Sequence, residues 1–269
     1  MIPAPRRREQ GTATSADGTR IAWYGYGSGE RTVLFLPTWN IVGARVVGHQ
    51  VVALEPHATV VTFDPRGAGA SDRPERGYDF PFHAADGLAV LDAIGIGQAS
   101  LVTASRGLNA ALVMIADDPR RFDRLAVVAP YMQLEAEPEP PDPEWLEDLL
   151  TDWPGFIVPF MHDVFTEPDS SEVIAEMIAI GLESTPEAVV AGEREIDWKR
   201  AARLLGTVAC PTLVIHGEAD VAVPASLARD IVAAMPNARL ELIPDGGHRP
   251  DIRTPELVNP LLREFLLGA

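Results

Sequence analysis

Ala99-Ser100-Leu101-Val102-Thr103-Ala104-Ser105-Arg106-Gly107-Leu108-Asn109-Ala110-Ala111-Leu112 is the stretch whose reading decides the fold. Leu101 to Thr103 is a short apolar run and predicts a buried strand. From Gly107 to Ala116 the chain is rich in Ala and Leu and stops before Pro119, which predicts an apolar helix. A strand that enters a helix this abruptly brings the two elements almost into contact. The reversal lifts one side chain, Ser105, clear of the sheet edge and aims the next helix N-terminus at it. A hydroxyl there can attack a carbonyl, with free backbone N–H groups close by to receive the negative charge. Taken alone, the pattern T-x-S-x-G is weak, because a serine also starts many ordinary helices. Thr103, β-branched, is expected to crowd the turn. The rest of the chain supplies the weight.

Working outward, the elements alternate. Ile21 to Tyr26, Thr32 to Leu36 and Thr59 to Phe63 read as strands, and His83 to Ile94 as a helix ended by Gly95. Leu125 to Ala129 and Thr212 to His216 are further strands. Ala225 to Ala234 is a helix, Leu240 to Ile243 a strand, and Pro255 to Leu267 a final helix. Apolar strands interleaved with helices predict a mainly parallel α/β sheet covered on both faces. Functional groups then gather at the carboxyl ends of the strands. From Tyr131 to about Lys199 the rhythm breaks. A proline-rich acidic run, Glu135 to Glu144, precedes helical patterns at Trp145–Asp152, Ser170–Leu182 and Pro186–Glu193. Helices inserted there are expected to roof the serine, with a substrate pocket formed by Trp39, Trp145, Trp153, Phe156 and Phe160. Met161 and Phe165 are further candidates for that lining.

Composition narrows the classes. Of 269 residues, 46% are apolar and 23% charged, as in soluble globular proteins, and no stretch is long enough to span a bilayer. Against 22 basic residues stand 39 acidic ones, a net charge of −17 that opposes binding to nucleic acid or an anionic membrane. Met1 to Arg8 is basic but lacks an apolar core, so it reads as a frayed, solvated arm rather than a secretory signal. A cytoplasmic protein acting on a small-molecule substrate is expected. Cys210 is the single cysteine, which excludes an internal disulfide and a cysteine-based metal site. Nothing in the sequence sets an oligomeric state.

A serine hydroxyl needs a base, and the base needs an anion to fix its tautomer. His248, in Asp245-Gly246-Gly247-His248, follows the last strand; two glycines let its loop bend over the sheet edge. Asp220 follows the penultimate strand and is placed to reach it. A helix-capping role for Asp220 is the alternative, and Glu218 is the fallback acid. Of the other histidines, His216 closes a strand and is expected to bond a loop carbonyl. The oxyanion donors are expected to be the backbone N–H groups of Arg106 and Trp39. The Arg106 guanidinium either binds a substrate anion or pairs with an acidic residue of the roof.

These stretches resemble the α/β-hydrolase fold over nearly the whole chain. Leu34-Phe35-Leu36-Pro37-Thr38-Trp39, Asp64-Pro65-Arg66-Gly67-Ala68-Gly69-Ala70-Ser71, the Ser105 turn and the Asp220 and His248 segments carry the likeness, with serine, acid and histidine in the family's order. The resemblance implies a mostly parallel sheet of about eight strands. It implies a hydrolase core in residues 1–130 and 200–269 and a helical cap in 131–199. A serine hydrolase cleaving a carboxylic ester or thioester of a small to medium apolar substrate is expected, with no metal or organic cofactor. Carbon–carbon bond hydrolysis, lactone opening, acyl transfer, cyclisation or elimination, and non-catalytic binding of a small molecule, stay open on the same scaffold.

Overall fold

Short β-prone runs become strands, and the segments between them become helices, in the computed structural model, which describes residues 1–134 and 140–268. In chain order the first half is β1 (Glu9–Thr14), β2 (Arg20–Tyr26), β3 (Thr32–Phe35), α1 (Gly48–Leu54), β4 (Thr59–Phe63), α2 (Phe80–Ala93), β5 (Ala99–Ala104), α3 (Gly107–Asp117) and β6 (Phe122–Val128). Five helices follow: α4 (Pro143–Thr151), α5 (Trp153–Val164), α6 (Ser171–Gly181), α7 (Pro186–Glu195) and α8 (Trp198–Leu204). The chain closes with β7 (Thr212–Gly217), α9 (Ala225–Ala234), β8 (Ala238–Ile243), α10 (Pro250–Arg253) and α11 (Pro255–Leu267). The acidic run partly falls in 135–139, outside the described residues.

The sheet has eight strands in the order β1-β2-β4-β3-β5-β6-β7-β8. β1–β2 and β2–β4 are antiparallel, and every other pair is parallel. β5 is buried along its whole length, because helices cover both faces. Leu101, Leu125 and Val214 pack on one face with α2, α3 and α9. Val102, Ala126 and Leu213 pack on the other with α1 and α11. β3 feeds β4 on one side while β5 lies on its other side, so the strand order reverses there. Such a switch point opens a crevice beyond the strand ends, between the loop after β3 and the turn after β5.

Above that crevice α4–α7 form a third apolar cluster with Ile41, Val42, Val46 and Ile252. α8 behaves differently. Its Trp198 and Ala201 join the cluster around α3. The amino-terminal arm is laid down rather than frayed. The Ile2 N–H donates to Glu176 Oε2 of α6 at 2.9 Å, Arg8 Nη1 donates to the Gly27 carbonyl at 3.1 Å, and the Arg7 guanidinium lies 3.9 Å over the Tyr24 ring.

Below the crevice Arg66 is fully buried. Its Nε and Nη2 donate to both Asp86 oxygens at 2.8 and 2.6 Å, and Nη1 donates to Asp17 Oδ2 at 2.8 Å. A buried guanidinium survives only with its donors occupied in this way.

Candidate active site

The turn between β5 and α3 is sterically over-determined. Ser105 has φ of +50°, a left-handed conformation that side chains avoid. Thr103 does not widen the turn. Its hydroxyl donates to the Leu36 carbonyl at 3.2 Å, and Gly107 leaves the space it needs. A Cβ on Gly107 would lie 1.9 Å from Thr103 Oγ1 and 2.6 Å from the Pro37 carbonyl oxygen. Threonine and glycine have exchanged the room that two glycines would share.

The structure brings Ser105, His248 and Asp220 together. His248 Nδ1 lies 2.8 Å from Asp220 Oδ2 and Nε2 lies 3.3 Å from Ser105 Oγ. A carboxylate facing Nδ1 fixes the proton there, which leaves Nε2 free to accept from the serine hydroxyl. Asp220 is buried. Its Oδ1 accepts the Ala222 and Val223 N–H groups, both at 2.9 Å, so it closes its own loop and does not cap α9. Burial pushes its carboxyl up, but hydrogen bonds to His216 and His248 and the Val223 N–H outweigh that. The net effect holds the group well below the usual carboxylate range.

His216 is the member that sequence reasoning missed. Its Nε2 lies 2.9 Å from the Val223 oxygen, the loop carbonyl that its place at the end of β7 predicts. The same nitrogen is 3.2 Å from Asp220 Oδ2. Facing two oxygens, it carries the proton, and Asp220 is gripped by two imidazoles. The spacing of four residues after a strand was the available signal. Glu218, the fallback acid, is exposed.

The Arg106 side chain pairs with Glu193 of α7 and lies over the Trp39 ring at 4.1 Å. Among the described residues, the backbone N–H groups of Trp39 and Arg106 donate to no backbone carbonyl. A narrow cleft of about 40 Å³ over the serine is lined by Ser105, His248, Thr38, Trp39 and Phe160, with Met161, Met177 and Arg249 adding to its walls. Trp145, Trp153 and Phe156 do not line it. They continue the ring stack away from the serine, with Trp153–Phe156 centroids 5.5 Å and Phe156–Phe160 centroids 5.4 Å apart. Phe165 is likewise buried in the packing of the inserted helices.

A family model described as the alpha/beta hydrolase fold matches residues 32–177. The chain belongs to that family. This α/β hydrolase is 28% identical to the serine hydrolase BPHL of Homo sapiens over 264 residues, covering 94% of this chain and 84% of that one. It superposes on Est816, described as an N-acyl homoserine lactone degrading enzyme, with TM-score 0.82 and 26% identity, covering 95% of this chain and all of that one, 100%. A thermophilic esterase from Thermogutta terrifontis matches with TM-score 0.83 and 25% identity, covering 96% and 98% of the two chains. Among the described residues of this α/β hydrolase, no group of three or more His, Cys, Asp or Glu is placed to hold a metal ion, and no helix is long and apolar enough to cross a membrane.

Proposed function

We propose that the protein is a serine hydrolase that cleaves carboxylic esters of compact, largely apolar substrates through an acyl-enzyme. The observation that carries this reading is the hydrogen-bonded line from Asp220 through His248 to Ser105 beside the cleft. Ser105 Oγ attacks the acyl carbon while His248 Nε2 takes its proton. The Trp39 and Arg106 N–H groups receive the oxyanion. His248 then protonates the leaving alcohol and activates the water that releases the acid. Asp220 stays charged throughout, as its depressed pKa supports, and steadies the imidazolium. α4–α7 act as a cap that excludes water, which strengthens each of these interactions.

The esterase and serine hydrolase relatives support this chemistry, and a lactone is a cyclic ester open to the same attack. The test is hydrolysis of an aryl acetate and a lactone alongside labelling by an organophosphorus probe. Ser105→Ala is expected to abolish labelling and lower kcat by a factor on the order of 10⁶. Turnover that survives Ser105→Ala would overturn the assignment.

A further inference from the structure

The cleft over Ser105 is not the whole of the space beside Trp39. A second chamber of about 30 Å³ also borders Trp39, lined by Phe63, Phe80, Ala110, Gly192 and Ile196 among others. Thr38 and Trp39 are the two residues that border both spaces. The indole is held in place from several directions. Phe160 and Phe156 meet it edge-to-face, with centroids at 5.6 and 6.3 Å. The Arg106 guanidinium covers it at 4.1 Å, and Arg106 is in turn fixed by Glu193 and by the Trp198 ring at 5.3 Å.

The far chamber offers a ligand no free charge. The Asn40 amide donates to the Ala188 carbonyl and the Tyr78 hydroxyl to the Pro74 carbonyl, both at 2.8 Å. Arg106 is neutralised by Glu193. Burial lowers the pKa of His83, which borders the chamber, and so disfavours its charged form. What remains is apolar wall, suited to a hydrocarbon.

We infer that the Trp39 indole is a partition that restricts this enzyme to esters of short acyl chains, and that the chamber behind it is a closed-off extension for a longer aliphatic chain. The inference rests on the ester-hydrolase reading above. At roughly 10–15 Å³ for each water-sized group, the cleft on the serine side holds an acyl group of about two to four carbons. A longer chain meets Trp39. Removing the ring joins the two spaces, and each methylene then buried is worth about a fourfold gain in kcat/KM.

The experiment compares kcat/KM for p-nitrophenyl esters from acetate to octanoate, and its readout is the octanoate-to-acetate ratio. A general loss of oxyanion stabilisation lowers both rates and leaves that ratio in place. The wild type is expected to favour acetate or butyrate. Trp39→Ala is expected to raise the ratio by roughly fiftyfold, the value for about three buried methylenes, and Trp39→Leu by a smaller factor. Refilling the chamber should undo the gain. A Cβ on Gly192 meets only Tyr78 Cβ at 3.6 Å and Asn40 Nδ2 at 4.0 Å, so Trp39→Ala/Gly192→Val is expected to return the ratio toward wild type.

A ratio within twofold of wild type in both folded Trp39 variants overturns the partition and leaves the hydrolase reading standing. So does a raised ratio that Gly192→Val fails to reduce. A wild type inert toward every chain length overturns the hydrolase reading and the partition with it.

Discussion

At the scale of single residues, Ser105, the proposed nucleophile, carries a conformational cost. Ser105 is held at φ +50° by a hydrogen bond from its own N–H to the Val128 carbonyl at 2.9 Å and by donation from the Tyr131 N–H to its carbonyl at 3.1 Å. Left-handed backbone costs a side-chain-bearing residue about 1–2 kcal/mol, and glycine escapes that cost. Ser105→Gly is therefore expected to be about 1 kcal/mol more stable than Ser105→Ala in urea unfolding, with both inactive. Equal stabilities would mean the turn is unstrained. That Ser105, Asp220 and His248 meet at one sheet edge was legible in the sequence, because each follows the carboxyl end of a strand and Ser105 sits in a tight strand-to-helix turn. His216 was not, since its second contact depends on how the loop after β7 curls. That Trp153 and Phe156 do not face the cleft was not legible, for a related reason. Which way an aromatic side chain points depends on helix phase, and Pro154, Gly155 and Pro159 hide the periodicity of α5.

At the scale of elements, a carboxylate beside the inserted helices reaches the loop that carries His248. Glu167, between α5 and α6, accepts the Gly247 N–H through Oε1 at 2.9 Å, one residue before His248. Arg253 Nη2 donates to the neighbouring Pro168 carbonyl at 2.8 Å. Gly247 has no side chain to push this acid away; a Cβ there would sit 2.9 Å from the Glu167 carboxyl carbon. In the proposed mechanism Glu167 therefore positions His248. A hydrogen bond to a charged acceptor contributes about 1.5–3 kcal/mol. Glu167→Ala is expected to lower kcat about tenfold with KM nearly constant, and Glu167→Gln, which keeps an acceptor, to recover most of the loss. A change confined to KM would contradict this role. Elements differed in legibility as residues did. β5 and β7 are buried runs and announce themselves. β1, Glu-Gln-Gly-Thr-Ala-Thr, buries only Ala13 and is made by pairing with β2, a contact no local pattern encodes.

At the scale of the whole molecule, stability leans on the buried charge cluster around Arg66. Asp86→Ala leaves Arg66 buried without its main partner and is expected to cost about 3–5 kcal/mol in urea unfolding, while the geometry around Ser105 lies elsewhere. A cost under 1 kcal/mol would show that Arg66 finds water. The cluster also predicts a pH response. Burial raises the Asp17 carboxyl, but hydrogen bonds from Arg66 and Thr19 prevail and bring its pKa from 3.8 to about 2. A depressed acid contributes stability that is complete above the unfolded value and disappears as pH falls through the folded one. The urea midpoint should therefore drop between about pH 4 and pH 2, and Asp17→Asn should flatten part of that drop. The two margins of the sheet have a consequence of another kind. β1 and β8 each end the pleated surface with one side unpaired. Such an open border invites another polypeptide to zip on and start a fibre. Here one border is guarded by exposed Glu9, Gln10 and Thr12 and the other by the Arg239–Glu241 pair. With the −17 excess adding mutual repulsion, edge-to-edge pairing between copies is disfavoured.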